Sequence, residues 1–296
     1  MSLLAKLRLA SLKGEKLALD EGFAALPVDP FWIAASREIE VQAKPAEVEG
    51  VSGMLLRHGN AFGIMYATNV PSVGFQRFSV AHELGHYFLD GHVDHVFARG
   101  DFHVSHACYV SGDPYEMEAD HFASGLLMPE RLFKPLLSKH DPGLAMIEDI
   151  AGKAQTSLTA TAIRCAQLSR DALAVVISTG DTVDYCFMSE GMKVLPNLSF
   201  IRKGSRVPPN TATARLNDDP KRVLTSSRYA QEIDSMDWLG GSRSARLNEE
   251  VLGLGSYGKT LTVLSSSSLG AVDDGHDEDE EQERDLIEKY TPRFRR

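Results

Sequence analysis

The sequence predicts an α+β protein in which a helical front half meets a smaller mixed α/β or β-rich back half. Three observations carry this. Apolar residues recur at helical spacing through most of residues 2–170. A hairpin pattern interrupts them near residues 53–67, and after residue 172 the apolar runs become short and β-branched. With 296 residues, 43% of them hydrophobic, the chain is long enough for two domains and a sizeable core.

The elements follow in order. Residues 2–19 alternate apolar and basic side chains at helical spacing and read as an amphipathic helix. Pro27, Pro30 and Pro45 punctuate the loop-rich stretch beyond it. Ile39 to Ala43 alternates like a strand. Two apolar runs, Gly53 to Arg57 and Phe62 to Ala67, flank a Gly59-Asn60 turn and predict a β-hairpin. Phe75 to Leu89 holds no proline and reads as a helix with Phe78, Ala81, Gly85 and Phe88 on one stripe. Residues 91–113 are expected to be loop. Asp113-Pro114 then combines a capping residue with proline at the first helical position, opening a helix that runs to Leu127 and ends at Met128-Pro129.

Leu132 to Leu137 is a short helical piece, and residues 145–168 suit two helices joined at Gln155-Thr156-Ser157. Strands are expected at Ala172 to Ile177, Val183 to Met188 and Thr260 to Ser265. The expected domains are residues 1–140, a helical segment at 141–171, a C-terminal domain at 172–270 for sensing or recruitment, and a disordered acidic tail at 271–296. Ser265 to Gly270 and the acidic run at 273–281 both read as disordered tail.

The formal net charge is −10, and half of the acidic excess sits in residues 272–296, which hold ten acidic residues against five basic ones. No Lys/Arg block marks a phosphate-binding stripe. Cys108, Cys165 and Cys186 are an odd set without a CxxC pair, which argues against a disulfide framework and a cysteine-based zinc site. Lys6, Arg8 and Lys13 interrupt the apolar N-terminus, and no run of about 18 apolar residues exists. The expectation is a cytoplasmic protein with no membrane partner.

The chemistry is concentrated in Phe78 to Phe88, FSVAHELGHYF. His82 and His86 are four residues apart, so on a helix both imidazoles face one way and can share one metal ion. Glu83 between them is placed to manage the protons of a water activated there. A third ligand must come from further along. His92, His95, His103, His106, Glu116, Glu118, Asp120 and His121 are the candidates. The four loop histidines have no element to fix them and are read as surface residues. Glu116 and Asp120 are better placed: at i and i+4, both can face the first helix. Glu116 is then the ligand, and Asp120 accepts the outer N–H of His82. Glu118 points the opposite way and reads as part of a solvated helix start. The expected cofactor is one Zn²⁺ ion per chain, with Mn²⁺ tolerated by the same ligands.

These two blocks, RFSVAHELGHYFL and then ExxxDxFAxxLLMP from Glu116 to Pro129, resemble the ImmA/IrrE metallopeptidase family. The resemblance covers roughly residues 30–170. It implies a gluzincin-like domain with His82, His86 and Glu116 on zinc, Glu83 as the catalytic acid/base and Asp120 as a supporting partner. Members resembling this chain are cytoplasmic, and several cleave a helix-turn-helix (HTH) repressor. The resemblance therefore implies a zinc-dependent endopeptidase acting on a specific intracellular protein in a regulated stress or mobile-element response. A second reading rests on the HTH-like segment Asp149 to Arg164, a metal-stabilised pseudo-peptidase regulator binding DNA or protein. That segment would offer DNA Thr159, Thr161 and a single cation, Arg164, which disfavours direct DNA binding. Trp238 reads as a core anchor, and Cys186 as inert packing.

Overall fold

The structure is a computed structural model and describes residues 2–44, 51–98, 100–105, 112–241, 244–267 and 269. Among the described residues it is a mixed α+β protein with two sheets. By internal contacts it divides into two compact units. Of the described residues, one contains those up to Phe133 and Ala151–Ser157, and the other Lys134–Ile150 and those from Leu158 on.

The first unit opens with α1 (Leu3–Asp20), whose first turn is capped by the Ser2 hydroxyl accepting from Ala5 N–H. Asp29 caps α2 (Pro30–Ser36), with Pro30 at the first helical position. Strand β1 (Glu40–Ala43) leads to the hairpin of β2 (Gly53–His58) and β3 (Ala61–Tyr66), with Gly59 in the left-handed region at the turn. Next come α3 (Val73–Phe88), α4 (His92–Val96), β4 (Phe102–Ser105) and α5 (Pro114–Leu127). The sheet order is β1-β3-β2-β4, with β1 parallel to β3 and the other pairs antiparallel.

Helix α3 is the centre of this unit. Ser79 through His86 are all buried, so the expected single apolar stripe gives way to a helix enclosed on most sides. Phe78 and Phe88, placed on that stripe by periodicity, are only partly buried. Residues 91–113, expected to be loop, contain α4 and β4, short pieces formed through packing and through pairing with β2.

Helix α5 packs closely on α1. A Cβ on Gly125 would overlap the Ser11 carbonyl oxygen, and one on Gly14 would overlap that of Phe122. Glycine at these crossings lets two backbones touch. The Gly125→Ala variant is expected to lose roughly 1–3 kcal/mol, the usual cost of overpacking. Urea denaturation checks this, and an unchanged midpoint would show that the crossing yields without cost.

Helices α6 (Glu130–Leu137), α7 (Leu144–Ala154) and α8 (Leu158–Leu168) follow. The turn between α7 and α8 falls at residues 155–157, as expected, with Gln155 at φ +52°. Thr161 and Arg164 are both buried. Two of the three residues expected to be offered to DNA are thus packed away, while Thr159 is half-buried.

The second sheet has order β6-β5-β9-β8-β7, all antiparallel. It is built from β5 (Ala172–Thr179), β6 (Thr182–Met188), β7 (Arg228–Asp234), β8 (Arg246–Gly253) and β9 (Thr260–Ser266). Strands β7 and β8 were not expected. Their charged residues hide the pattern, yet β8 buries Leu247, Glu249 and Val251. The Glu249 carboxylate accepts from the Ala212 and Thr213 amides, the Thr213 hydroxyl, Gln231 and the Trp238 indole. Five donors compensate its burial. Trp238 is a core residue, as expected, and burial pushes the Cys186 thiol up to about 12. Ser265 and Ser266 finish β9 as buried strand residues, which corrects their reading as disordered tail. The tail itself lies outside the described residues.

Candidate metal centre

Local sequence explains how the site is placed. Ser72 caps α3 by accepting from Phe75 N–H, and His82, Glu83 and His86 occupy its third and fourth turns. Asp113 caps α5 by accepting from Tyr115 N–H, which puts Glu116 in the first turn and Asp120 one turn later. The two helices meet where a Cβ on Gly85 would come within 3.1 Å of Ala119 Cα.

At that crossing three donors converge. His82 Nε2 and His86 Nε2 are 3.1 Å apart, and each lies 3.3 Å from one oxygen of Glu116. Zinc with ligands at about 2.0–2.1 Å in a tetrahedron has ligand–ligand edges of about 3.3–3.4 Å. The donor triangle fits that size and chemistry. His82, His86 and Glu116 can hold a metal ion. Asp120 Oδ1 accepts from His82 Nδ1 at 2.8 Å, which leaves Nε2 for the metal.

The electrostatics match a site built for a cation. Burial alone would lower the pKa of His82, but the bonds to Asp120 and Glu116 more than offset it and hold it well above its ordinary value. Burial lowers His86 to about 3, so it stays neutral. Burial would raise Glu116, yet hydrogen bonds from His103, His82 and His86 drive it far below the carboxylate range. These bonds favour the ionised form of Glu116.

Glu83 is different. It is fully buried, and among the described residues neither carboxylate oxygen has a hydrogen-bond partner. Burial raises its pKa to about 7, against weaker pulls downward from His82 and Ser105. Ser105 Oγ is near enough to exert that pull, although no pair between them meets hydrogen-bond geometry. Gly53 and Ser105 are register partners on β2 and β4, and a Cβ on Gly53 would overlap Glu83 Oε1. Glycine there leaves room for the carboxylate.

Two residues read from sequence as surface histidines belong to the site. His103 on β4 donates to Glu116 Oε1 at 2.9 Å, its ring 4.7 Å from that of His86. His92 on α4 is completely buried, with Nδ1 3.2 Å from His86 Nδ1. Glu118 does not face solvent alone, because it reaches His92 Nε2 at 3.5 Å. The one available signal was the density of histidines in residues 91–106, whose order depends on α4 and β4. His95 stacks on Tyr115 instead, and neither it nor His121 belongs to the donor triangle. His106 and Cys108 lie outside the described residues.

The helix pair thus presents two histidines and a carboxylate to one point, a cluster that could hold a metal ion, with Glu83 beside it. Residues 34–166 match the model of the IrrE N-terminal-like domain of the ImmA/IrrE family. All five site residues read from sequence lie within that span. Among solved structures, a Mycobacterium tuberculosis transcriptional regulator matches with a TM-score of 0.56 at 12% identity, covering 87% of this chain and 76% of that one. At that identity the likeness is one of fold. No curated protein matches the chain. Among the described residues no helix is long and apolar enough to cross a membrane.

Proposed function

We propose that this protein is a zinc-dependent endopeptidase that cleaves a specific intracellular protein, an HTH transcriptional repressor, in a regulated response. The observation that supports it most is Glu83, a buried carboxylate without a hydrogen-bond partner among the described residues, beside a metal-sized donor triangle. A buried polar group without a partner is costly, and catalytic use is one reason to retain it.

Zinc held there by His82, His86 and Glu116 would supply Lewis acidity toward water and a peptide carbonyl. Glu116 would bring the negative charge of the ligand set. Glu83 takes a proton from the attacking water and passes it to the leaving amine. A carboxyl near pH 7 suits both halves of that task, and positive charge at the triangle pulls it towards the ionised form it needs first. We further propose the domain limits 1–140, 141–171 and 172–270, with the last domain recruiting substrate or sensing the signal.

To test this, the zinc-loaded protein is incubated with the HTH repressors encoded beside it, and fragments are read by mass spectrometry. The wild type is expected to give one or two discrete fragments from a single repressor, and Glu83→Gln none. Fragments produced equally by both would remove Glu83 from the chemistry. No cleavage of any repressor would remove the proposed substrate.

A further inference from the structure

The chain reverses sharply after α3. Leu89 ends the helix with its N–H on the Gly85 carbonyl, and Gly91 adopts φ +77°, a left-handed conformation that glycine takes without strain. This reversal brings α4 back against the helix it has just left. His92, the first residue of α4, is thereby buried completely against His86.

The two nitrogens in contact, His86 Nδ1 and His92 Nδ1, are 3.2 Å apart, so one must donate and the other accept. His86 Nε2 faces the donor triangle and must keep its lone pair for a metal. His86 Nδ1 therefore carries the proton. His92 Nδ1 must accept it, which places the His92 proton on Nε2. That atom faces Glu118 Oε2 at 3.5 Å, and Lys6 lies 3.8 Å from the other Glu118 oxygen. The ring of Tyr115 meets His92 edge-on at 4.9 Å and closes its other side.

We infer that His92 is a positioning residue for the metal centre, accepting the Nδ1 proton of His86 and so fixing the tautomer that leaves Nε2 free to ligate. It does for His86 what Asp120 does for His82, with a neutral imidazole backed by Glu118 in place of a direct carboxylate. The inference rests on the metal reading of the site. It extends that reading to a residue outside the two sequence blocks.

The test compares zinc binding by the full-length protein and three variants, using competition with a chelating dye, the visible spectrum of the Co²⁺ form, and thermal melting without metal. His92→Leu removes the acceptor. It is expected to weaken zinc binding about 10–100-fold, the usual effect of losing a partner behind a metal-bound histidine. Its Co²⁺ band is expected to shift. His92→Asn puts an amide oxygen near the place of Nδ1 and is expected to restore most of the affinity. His92→Gln, whose amide reaches toward the place of Nε2, is not. Should His92→Leu fail to fold, the contrast between Asn and Gln carries the test. Leu binding as tightly as wild type, or Gln rescuing as well as Asn, overturns the inference. If the wild type itself takes up no zinc, the metal reading falls, and this inference with it.

Discussion

Replacing Glu116 with glutamine is expected to weaken zinc binding by roughly 10²–10³-fold. Structural zinc sites of about four ligands are worth about 10–16 kcal/mol near neutral pH, so one ligand carries about 3–4 kcal/mol. Glu116 is the sole anion of the triangle, and each of its oxygens lies 3.3 Å from a histidine Nε2. Glutamine keeps the shape and loses the charge. Competition titration measures the change. An unchanged affinity would transfer the third ligand to another residue. Affinity in the wild type is also expected to fall on acidification. The cause is His82, which holds a proton well above its ordinary pKa when no cation displaces it, and not Glu116, which stays ionised.

The Glu83→Gln variant is expected to lower hydrolysis by about 10²–10⁴-fold, the usual contribution of a general base, while leaving zinc affinity near wild type. It also tests the state of the buried carboxyl. The folded pKa of Glu83 is raised from 4.5 to about 7, so its neutral form is the one the fold tolerates. Its contribution to metal-free stability is therefore fully present below about 4.5. That contribution is lost as pH rises through about 7, on the order of 3 kcal/mol in all. Glutamine does not titrate. Melting of the two metal-free proteins should thus diverge as pH rises, with the wild type losing stability relative to the variant. A gap that is the same near pH 5 and near pH 8 would show that Glu83 is not held in the low-dielectric setting described here. Zinc should shrink the divergence, because a cation beside Glu83 stabilises its ionised form.

The readable parts of the sequence were those with local causes. Caps and punctuation placed α5, because Asp113 and Pro114 act within their own turn. The i, i+4 spacings of His82 with His86 and of Glu116 with Asp120 survive folding because a helix preserves them. The hairpin of β2 and β3 announced itself through Gly59-Asn60. What escaped was set at long range. Strand β4 has four residues and exists through pairing with β2, so nothing nearby indicated that His103 would turn toward Glu116. His92 looked like a loop histidine until the Gly91 reversal buried it. Strands β7 and β8 carry charges that suggest solvent. Glu249 is nevertheless buried, because its five donors come from residues spread between 212 and 238. Thr161 and Arg164 fit a DNA-reading helix by spacing, and packing buries them instead.

The central claim is that His82, His86 and Glu116 hold one zinc ion with Glu83 beside it. Diffraction from zinc-loaded crystals, with anomalous differences recorded on both sides of the zinc edge, tests it directly. One peak per chain is expected, about 2.0–2.1 Å from His82 Nε2, His86 Nε2 and a Glu116 oxygen. A loaded protein with no peak between these three residues, or with its zinc bound elsewhere, would contradict it.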